Sequence, residues 1–243
     1  IIDDQNLDNI KNKIDLIKNQ TYDNWQLIIF SRHSSQNISR VNELIEKDNP
    51  KIFYCNELSE TSLKTILNFN GDLIGFLSSG IQLSKFALTQ FVKELNQFPN
   101  SEILYSDHDY LDKNNKQINP FFKPDWSPYL FRSNDYLSPF YIVTNTILKK
   151  INSNSIMSEC FNFDILLQSI ELTKSIHHIS IPLYSIKNTL LVNFDSKKLA
   201  LSNHLKRINI NAEVKSGFVK DSFQIKSSIV YFSQTNSFNV FNF

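Results

Sequence analysis

The sequence predicts an α/β fold in which a mostly parallel sheet carries helices on both faces. Short apolar runs alternate along the chain with segments of helical periodicity, and the runs are apolar on both sides, as in the strands of a covered parallel sheet. The 243 residues suffice for one large domain, or for one domain with an appendage, and for a substantial core. In such sheets ligands bind beyond the carboxyl ends of the strands, so the residues that follow the apolar runs are the candidate site.

Helices are predicted where apolar residues recur at intervals of three and four. The predicted helices cover residues 7–19, 38–47, 62–70, 84–98, 162–176 and 196–209. Ser84 is expected to cap the helix 84–98, because a serine side chain can accept a hydrogen bond from a free backbone N–H of the first turn. Gly71 is expected to end the helix before it, since glycine is common just after the last helical residue.

Strands are predicted where short apolar runs are bounded by polar residues. The predicted strands cover residues 24–30, 50–55, 72–77, 102–106 and 177–187. Residues 113–142 contain four prolines and a tryptophan that interrupt every period, so a long ordered loop is expected there. The Phe- and Ser-rich segment after residue 217 is predicted to be strand or linker.

The composition argues against a nucleic-acid partner and against a membrane-spanning segment. The chain has 25 Lys+Arg against 24 Asp+Glu, so it lacks the basic field on which nonspecific nucleic-acid binding depends. No apolar run approaches the roughly 18 residues that span a bilayer, and the start has no signal-peptide pattern. We therefore expect a soluble protein.

The cysteines predict the cellular compartment, and the first residues bear on the extent of the chain. Cys55 and Cys160 have neither metal-site spacing nor the density of a disulfide scaffold, so both are expected to be buried thiols in a reducing cytoplasm. A peripheral place at the inner face of the membrane is a second option. The chain begins with IIDD rather than methionine, and we expect it to be cut from a longer protein.

Several sequence segments resemble glycosyltransferase family 2 in their residues and in their order along the chain. They resemble in particular its tandem-domain polysaccharide and O-antigen transferases. The resemblance extends over about residues 1–217. The phrases that carry it are "IDLIKNQTYDNWQLII", "NGDLIGFL", "LYSDHDYLD", "NPFFKPDWSPYLFRSNDYL", "FDILLQSIELTKSIHHISIPLYSIK" and "ALSNHLKRININAEVKSG". The pair "LYSDHDYLD" and "NPFFKPDWSPYLFRSNDYL" is the most specific, because so long a phrase rarely recurs by chance.

The resemblance implies a GT-A, Rossmann-like domain over residues 1–190, with its N-terminal strand truncated, and a C-terminal helix and linker over residues 191–243. It implies an enzyme that transfers a sugar from a nucleotide diphosphate sugar to a glycan or lipid-linked acceptor in cell-surface polysaccharide synthesis. Mg²⁺ or Mn²⁺ would be the cofactor of an active enzyme, and a second glycosyltransferase domain in the same chain is implied as a partner.

The sequence departs from the family at the donor and metal positions. Where the family has an aspartate for the nucleoside, this chain has Ser31 and Arg32. Where the family has the aspartates that coordinate a divalent metal, it has Ser78, Ser79 and Gly80. Neutral hydroxyls are poor substitutes for carboxylates as ligands of a hard cation. No metal ligand is therefore assigned from the sequence.

The catalytic base is also missing at its expected position. The family has an aspartate at the start of the later helix that deprotonates the acceptor hydroxyl, and Asn162 stands there, two residues before Asp164. Asp164 could replace the base, or it could simply favour the positive end of the helix dipole. Asp109 is the second catalytic candidate, because the acidic phrase around Asp107 and Asp109 survives intact.

The other candidates have two interpretations each. Asp107 and Asp109, followed by Asp112, either line the cleft and bind substrate or cap a solvated turn. Lys123, Asp125 and Trp126 suit sugar stacking and hydrogen bonding in a ligand groove. Phe121 and Phe122 could instead form an aromatic plug that closes the sheet. His108, His177 and His178 are expected in a loop and at the start of a strand rather than on a metal. Arg32 and Lys64 either contact the diphosphate or are solvated charges.

Losing three acids at independent positions favours weak or lost activity. The expected function is that of a glycosyltransferase-like domain with weak or lost activity. The alternative is a non-catalytic scaffold or glycan-binding domain beside an active transferase domain.

Overall fold

The computed structural model describes residues 7–30, 51–55, 71–77, 80–152, 160–187, 193–231 and 239–242. The helices in this part of the chain are α1 (Leu7–Lys18), α2 (Ala87–Gln97), α3 (Pro128–Ser133), α4 (Asn145–Leu148), α5 (Phe161–Leu172) and α6 (Phe194–Arg207). The predicted helices that correspond to α1, α2, α5 and α6 are confirmed. The helices predicted for residues 38–47 and 62–70 lie outside the described residues.

The strands follow the predicted apolar runs and add several more. They are β1 (Leu27–Phe30), β2 (Ile52–Cys55), β3 (Leu73–Gly75), β4 (Ile81–Leu83), β5 (Ile103–Leu111), β6 (Gln117–Phe121), β7 (Tyr141–Thr144), β8 (Ile176–Ile186), β9 (Ala212–Ser216), β10 (Phe223–Tyr231) and β11 (Asn239–Asn242). Strand β5 continues five residues beyond the predicted run, through the acidic phrase to Leu111.

The α/β class is confirmed, but the pairing within the main sheet is mixed rather than mostly parallel. The six-stranded sheet has the order β3-β7-β5-β8-β4, with β6 also paired to β5. Strands β5 and β8 are parallel, whereas β3/β7, β5/β7, β5/β6 and β4/β8 are antiparallel. Strands β5 and β6 are joined by residues 112–116, too short a connection for a parallel pair, which needs a crossover of a dozen or more residues.

Helices cover both faces of this sheet, as the sequence predicts. Ile103 and Tyr105 of β5 belong to a core cluster that also contains the buried faces of α5 and α6. Leu104, which lies between them and points to the opposite face, belongs to a second cluster with Phe91 of α2. Helix α1 packs on the separate parallel pair β1/β2 through Ile10 and its neighbours.

The long loop predicted for residues 113–142 is wrong in part. It contains strand β6, helix α3 and the start of β7. All five residues of β6 are exposed, so no apolar alternation was there to reveal the strand. Helix α3 begins with Ser127, whose Oγ accepts from the Leu130 N–H, and Pro128 stands at its first position.

The predicted N-cap at Ser84 is also wrong. Helix α2 begins at Ala87 after Phe86, without a side-chain cap. The Ser84 backbone instead joins two other segments, because its N–H donates to Leu183 O at 2.9 Å and its O accepts from Gln20 Nε2 at 2.9 Å. The contact with Leu183 extends the β4/β8 pairing beyond Leu83, and the helix begins only at Ala87.

The C-terminal part packs on the same core as the main sheet. Leu201 and Leu205 of α6, Val214 of β9 and Phe223 of β10 belong to the cluster that contains α5 and β5. The segment after residue 217 forms strands β10 and β11, in the antiparallel order β11-β10-β9, so the strand alternative is confirmed. The division of the chain at residue 190 stays a prediction. Among the helices described, none is both long and apolar enough to cross a membrane.

Candidate functional site

The three aspartates of the acidic phrase have two different structural roles. Asp112 lies in a turn, where its Oδ1 accepts from the backbone N–H groups of Asn114 and Lys116, both at 2.8 Å. Asp107 and Asp109 lie on strand β5 and are 1% and 7% exposed. The solvated-turn interpretation is therefore right for Asp112 and wrong for the other two.

Asp107 is the inner end of a hydrogen-bonded chain that reaches the surface. Its Oδ1 accepts from the Lys123 backbone N–H at 2.8 Å and lies 2.8 Å from His178 Nε2. The other ring nitrogen, His178 Nδ1, lies 3.1 Å from Asp125 Oδ1. The side chains of Asp107 and His178 are almost fully buried, while that of Asp125 is 95% exposed. The His178 ring also stacks on Tyr105, with centroids 4.8 Å apart.

Ionised carboxylates accept hydrogen bonds but cannot donate them, so both contacts of His178 are satisfied together only when both ring nitrogens carry hydrogen. His178 was expected to be an ordinary residue at the start of β8. It is instead the side chain that connects β8 to β5 and to the segment around Asp125.

Lys123 points into the protein rather than into solvent. Its Nζ donates to Leu137 O at 3.2 Å and to the Tyr184 hydroxyl at 2.8 Å, and the residue is 5% exposed. Burial lowers the pKa of Lys123 to about 7, although the nearby carboxylates of Asp135 and Asp107 oppose that shift. Lys123 was predicted to bind substrate, but its side chain makes these hydrogen bonds within the protein.

His108 lies on the opposite face of β5 from Asp107 and Asp109. Its ring stacks on Tyr184 with centroids 5.2 Å apart and contacts Phe121 at 5.1 Å. Burial, and secondarily Lys123, lowers the pKa of His108 to about 3, so the ring is neutral at physiological pH. Within the described part of the chain, neither His108 ring nitrogen has a hydrogen-bond partner, and the same is true of Asp109 Oδ1.

The segment around Asp125 presents aromatic side chains in two ways. Trp126 is half-buried and packs on Phe131 at 5.4 Å between centroids, as part of the core. Phe121 contacts His108, whereas Phe122 is 69% exposed and does not close the sheet. The plug interpretation therefore fails for Phe122.

Asp164, the candidate replacement for the base, is enclosed between helices. It lies in the first turn of α5, is 1% exposed, and its Oδ1 is 3.7 Å from a guanidinium nitrogen of Arg207 on α6. Arg207 in turn contacts Glu171 at 2.8 Å. Asn162, at the expected position of the base, accepts a hydrogen bond from the Tyr141 hydroxyl with its backbone oxygen.

Glu171 and His204 form a polar connection that the sequence did not single out. His204 is 1% exposed; its Nδ1 lies 2.7 Å from Glu171 Oε1, and its Nε2 accepts from Arg132 Nε at 3.3 Å. Burial alone would raise the pKa of Glu171, but hydrogen bonds from His204 and Arg207 outweigh it and lower that pKa. Helices α3, α5 and α6 are joined in this way. No local pattern could have revealed it, because the partners lie far apart in sequence.

The remaining candidates are placed as follows. His177 lies 3.1 Å from Glu94 Oε2 and packs against Phe98. The thiol of Cys160 is half-buried and donates to Ser196 O. The Gly80 oxygen accepts from the Lys187 N–H at 2.9 Å. Five candidate residues lie outside the described part of the chain, namely Ser31, Arg32, Lys64, Ser78 and Ser79, and the side chain of Cys55 does too.

Two proteins are related to the chain in sequence, and no protein-family model matches it. The chain is 30% identical over 220 residues to the O-antigen biosynthesis protein RfbC of Myxococcus xanthus, which covers 82% of this chain and 17% of that protein. It is 26% identical over 188 residues to the uncharacterized protein y4gI of Sinorhizobium fredii, which covers 72% and 20%. The chain thus spans a fifth or less of the length of these relatives.

Solved structures share the fold at low sequence identity. TarS 1-349 of S. aureus superposes with a TM-score of 0.58 at 12% identity, covering 88% of this chain and 66% of that one. The mannosyltransferase PcManGT of Pyrobaculum calidifontis, in complex with GDP-Man and Mn²⁺, gives 0.57 at 12% identity, covering 86% and 62%. The chain therefore has a Rossmann-like α/β fold of the glycosyltransferase type, and it is related in sequence to a protein of O-antigen biosynthesis.

Proposed function

We propose that the chain is a glycosyltransferase domain of family 2 and GT-A type that serves cell-surface polysaccharide synthesis with weak or no transfer activity of its own. It would bind a nucleotide diphosphate sugar, with a glycan or lipid-linked acceptor. The shared fold and the similarity to RfbC support the first part. The observation that carries the second part is the burial of the acids: Asp107, Asp109 and Asp164 are 1%, 7% and 1% exposed.

An inverting transfer requires a base that takes the proton of the acceptor hydroxyl as its oxygen attacks the anomeric carbon. The amide of Asn162 cannot accept that proton. Asp164 lies close to Arg207 inside the α5/α6 contact, so an acceptor hydroxyl would have to displace packed side chains to reach it. Loss of a general base alone reduces the rate by about 10² to 10⁴.

A divalent cation would supply the charge that stabilises the departing diphosphate, and Mg²⁺ or Mn²⁺ would serve in an active enzyme. Among the residues that the structure describes, no three His, Cys, Asp or Glu side chains converge as a metal site. Asp107 Oδ1 already contacts the Lys123 N–H and His178. The described residues therefore do not fit the cation, and no catalytic step is assigned to one.

Calorimetry with UDP, GDP and dTDP sugars, with and without Mn²⁺, tests this proposal together with a transfer assay. We expect binding of one nucleotide sugar with turnover at least 100-fold below that of an ordinary transferase, on the scale of a lost base. Micromolar, Mn²⁺-dependent binding with fast turnover would contradict the weak-activity part. If turnover is measurable, Asp109→Asn should abolish it, with the turn variant Asp112→Asn as the control; unchanged turnover would remove Asp109 from the site.

A non-catalytic scaffold or glycan-binding domain beside an active transferase domain is the second candidate. The exposed rings of Phe122 and Tyr129 favour it, because they suit a polysaccharide surface without any chemistry. Absence of nucleotide-sugar binding at millimolar ligand would select this function. In both cases we place the domain in the cytoplasm, with peripheral contact at the inner face of the membrane as an option.

A further inference from the structure

Residues 122–130, called here the 122–130 segment, leave large rings in water while their neighbours are buried. Phe122 is 69% exposed and Tyr129 is 82% exposed. Lys123, between them in sequence, is buried, and Trp126 packs on the core. The side chain of Asp125 is 95% exposed. The outward side chains of this segment include two aromatic rings and one carboxylate, together with Pro124 and Leu130.

Buried groups hold the backbone of the segment in place. The Lys123 N–H donates to Asp107, and the Tyr105 hydroxyl donates to Pro124 O at 2.7 Å. The Tyr136 hydroxyl accepts from the Ser127 N–H at 2.9 Å and donates to the backbone oxygen of Asp125 at 3.3 Å. A backbone fixed at so many points loses little conformational entropy when the segment binds a ligand.

The carboxylate of Asp125 keeps capacity for further hydrogen bonds. One oxygen contacts His178, which is fixed from behind by Asp107. A carboxylate has about four acceptor sites, so most of the acceptor capacity of Asp125 faces solvent. Hydroxyl groups of a ligand could donate to it without displacing His178.

The charge of the segment limits the class of ligand. With Lys123 buried, the exposed charge within residues 122–130 is the negative one of Asp125. A diphosphate or an anionic lipid headgroup is bound by cationic side chains, and this segment exposes none. Aromatic faces pack well on the C–H faces of sugar rings, and a carboxylate accepts from their hydroxyls. A neutral carbohydrate chain meets all of these conditions.

We propose that the 122–130 segment binds the neutral part of the acceptor glycan. Phe122 and Tyr129 pack against sugar rings, and Asp125 accepts hydrogen bonds from sugar hydroxyls. This inference rests on the proposed function, since it names the acceptor side of the same domain. It also places the donor diphosphate elsewhere, because the segment carries no exposed cation to receive it.

Saturation-transfer NMR with neutral manno-, galacto- and rhamno-tetrasaccharides tests the proposal. We expect the unaltered chain to bind at least one of them with millimolar affinity. The double variant Phe122→Ala/Tyr129→Ala, and separately Asp125→Ala, should bind it at least tenfold more weakly. Phe218→Ala is the matched control, since Phe218 is a 98% exposed ring outside the segment, and it should leave the affinity unchanged.

Several results would overturn the proposal. Failure of all three tetrasaccharides to bind at about 10 mM would do so, as would equal binding by the double variant and the Phe218 control. Binding of phosphatidylglycerol vesicles that depends on Phe122 and Tyr129 would show a lipid surface instead. Calorimetry with nucleotide sugars separates the two proposals: if the chain binds tetrasaccharide but no nucleotide sugar, the donor part of the proposed function fails and this inference stands.

Discussion

Lys123 is a cationic residue that the fold holds almost wholly away from water. Burial of an ammonium disfavours its charged form, and here it lowers the pKa to about 7 from the ordinary value of 10.5. The neutral amine and the ammonium can both donate to Leu137 O and to the hydroxyl of Tyr184. Lys123 therefore connects the segment after β6 to β8 whether or not it carries a charge.

The stability of the protein should increase between pH 7 and 9 because of Lys123. In this interval an unfolded lysine keeps its proton, whereas folded Lys123 releases it, so the unfolded chain binds more protons and the free energy of unfolding rises with pH. The slope contributed by Lys123 is at most about 1.4 kcal/mol per pH unit. Urea unfolding of Lys123→Met at pH 7, 8 and 9 should lack this rise. The exposed-lysine variant Lys220→Met should retain it; a rise in Lys123→Met equal to that of the unaltered chain would contradict the prediction.

The sequence identified the right residues around Asp107 but not their environments. The phrase that contains Asp107, Asp109 and Asp112 looks uniform in sequence, yet only Asp112 lies in a turn. What distinguishes them is whether a neighbouring strand covers the residue. That pairing comes from β8, about seventy residues later, so no local pattern contains it.

His178 links three elements through one imidazole. It belongs to β8, contacts Asp107 on β5, and contacts Asp125 in the segment that leads to α3. The two contacts differ in environment, because Asp107 is buried and Asp125 is in water. Water screens the outer contact strongly, whereas removal of the inner partner leaves a buried carboxylate with one fewer donor.

His178→Ala should therefore destabilise the protein far more than Asp125→Asn. We expect a loss of about 3 to 5 kcal/mol for His178→Ala, as for other broken buried pairs. For Asp125→Asn the change should stay within about 0.5 kcal/mol, as for an exposed ion pair. Urea unfolding followed by circular dichroism measures both variants under one condition. Equal losses would mean that the buried Asp107–His178 contact contributes no more to stability than the exposed His178–Asp125 contact.

At the scale of elements, sequence patterns identified most of the long apolar elements and missed the exposed strand β6 and the short strands β4 and β7. Helices α1 and α2 each have an apolar stripe on one face, and both are confirmed. Strand β6 is exposed along its whole length and pairs with β5, so its own residues gave no signal. The antiparallel pairing of β4 and β7 was missed together with the strands themselves. Strand direction depends on the path of the connections, which hydrophobicity does not record.

The described part of the molecule has a core cluster to which the central strands and the C-terminal elements both contribute. Residues of α6, β9 and β10 lie in the same cluster as Tyr105 and Tyr141 of the central strands. The Phe194 and Phe223 rings stack with centroids 4.8 Å apart and join α6 to β10. The predicted division at residue 190 thus separates segments that share one cluster of buried side chains.

A chain cut after residue 190 should lose cooperative folding. It would lack Leu201, Leu205, Val214 and Phe223, which are each 4% exposed or less. Burial of four such side chains contributes about 6 to 12 kcal/mol as an upper bound, which is comparable with the whole stability of a typical domain, about 5 to 15 kcal/mol. A chain that ends after Tyr231 keeps all four and serves as the control. Urea unfolding followed by tryptophan fluorescence should give a sigmoidal transition for the control and a broad, weak change for the shorter chain, because the face of α5 on which α6 packs would be left in water. A sigmoidal transition at the same urea concentration in both would mean that residues 1–190 fold as an independent domain, and the shared cluster would then be a contact between two units rather than one core.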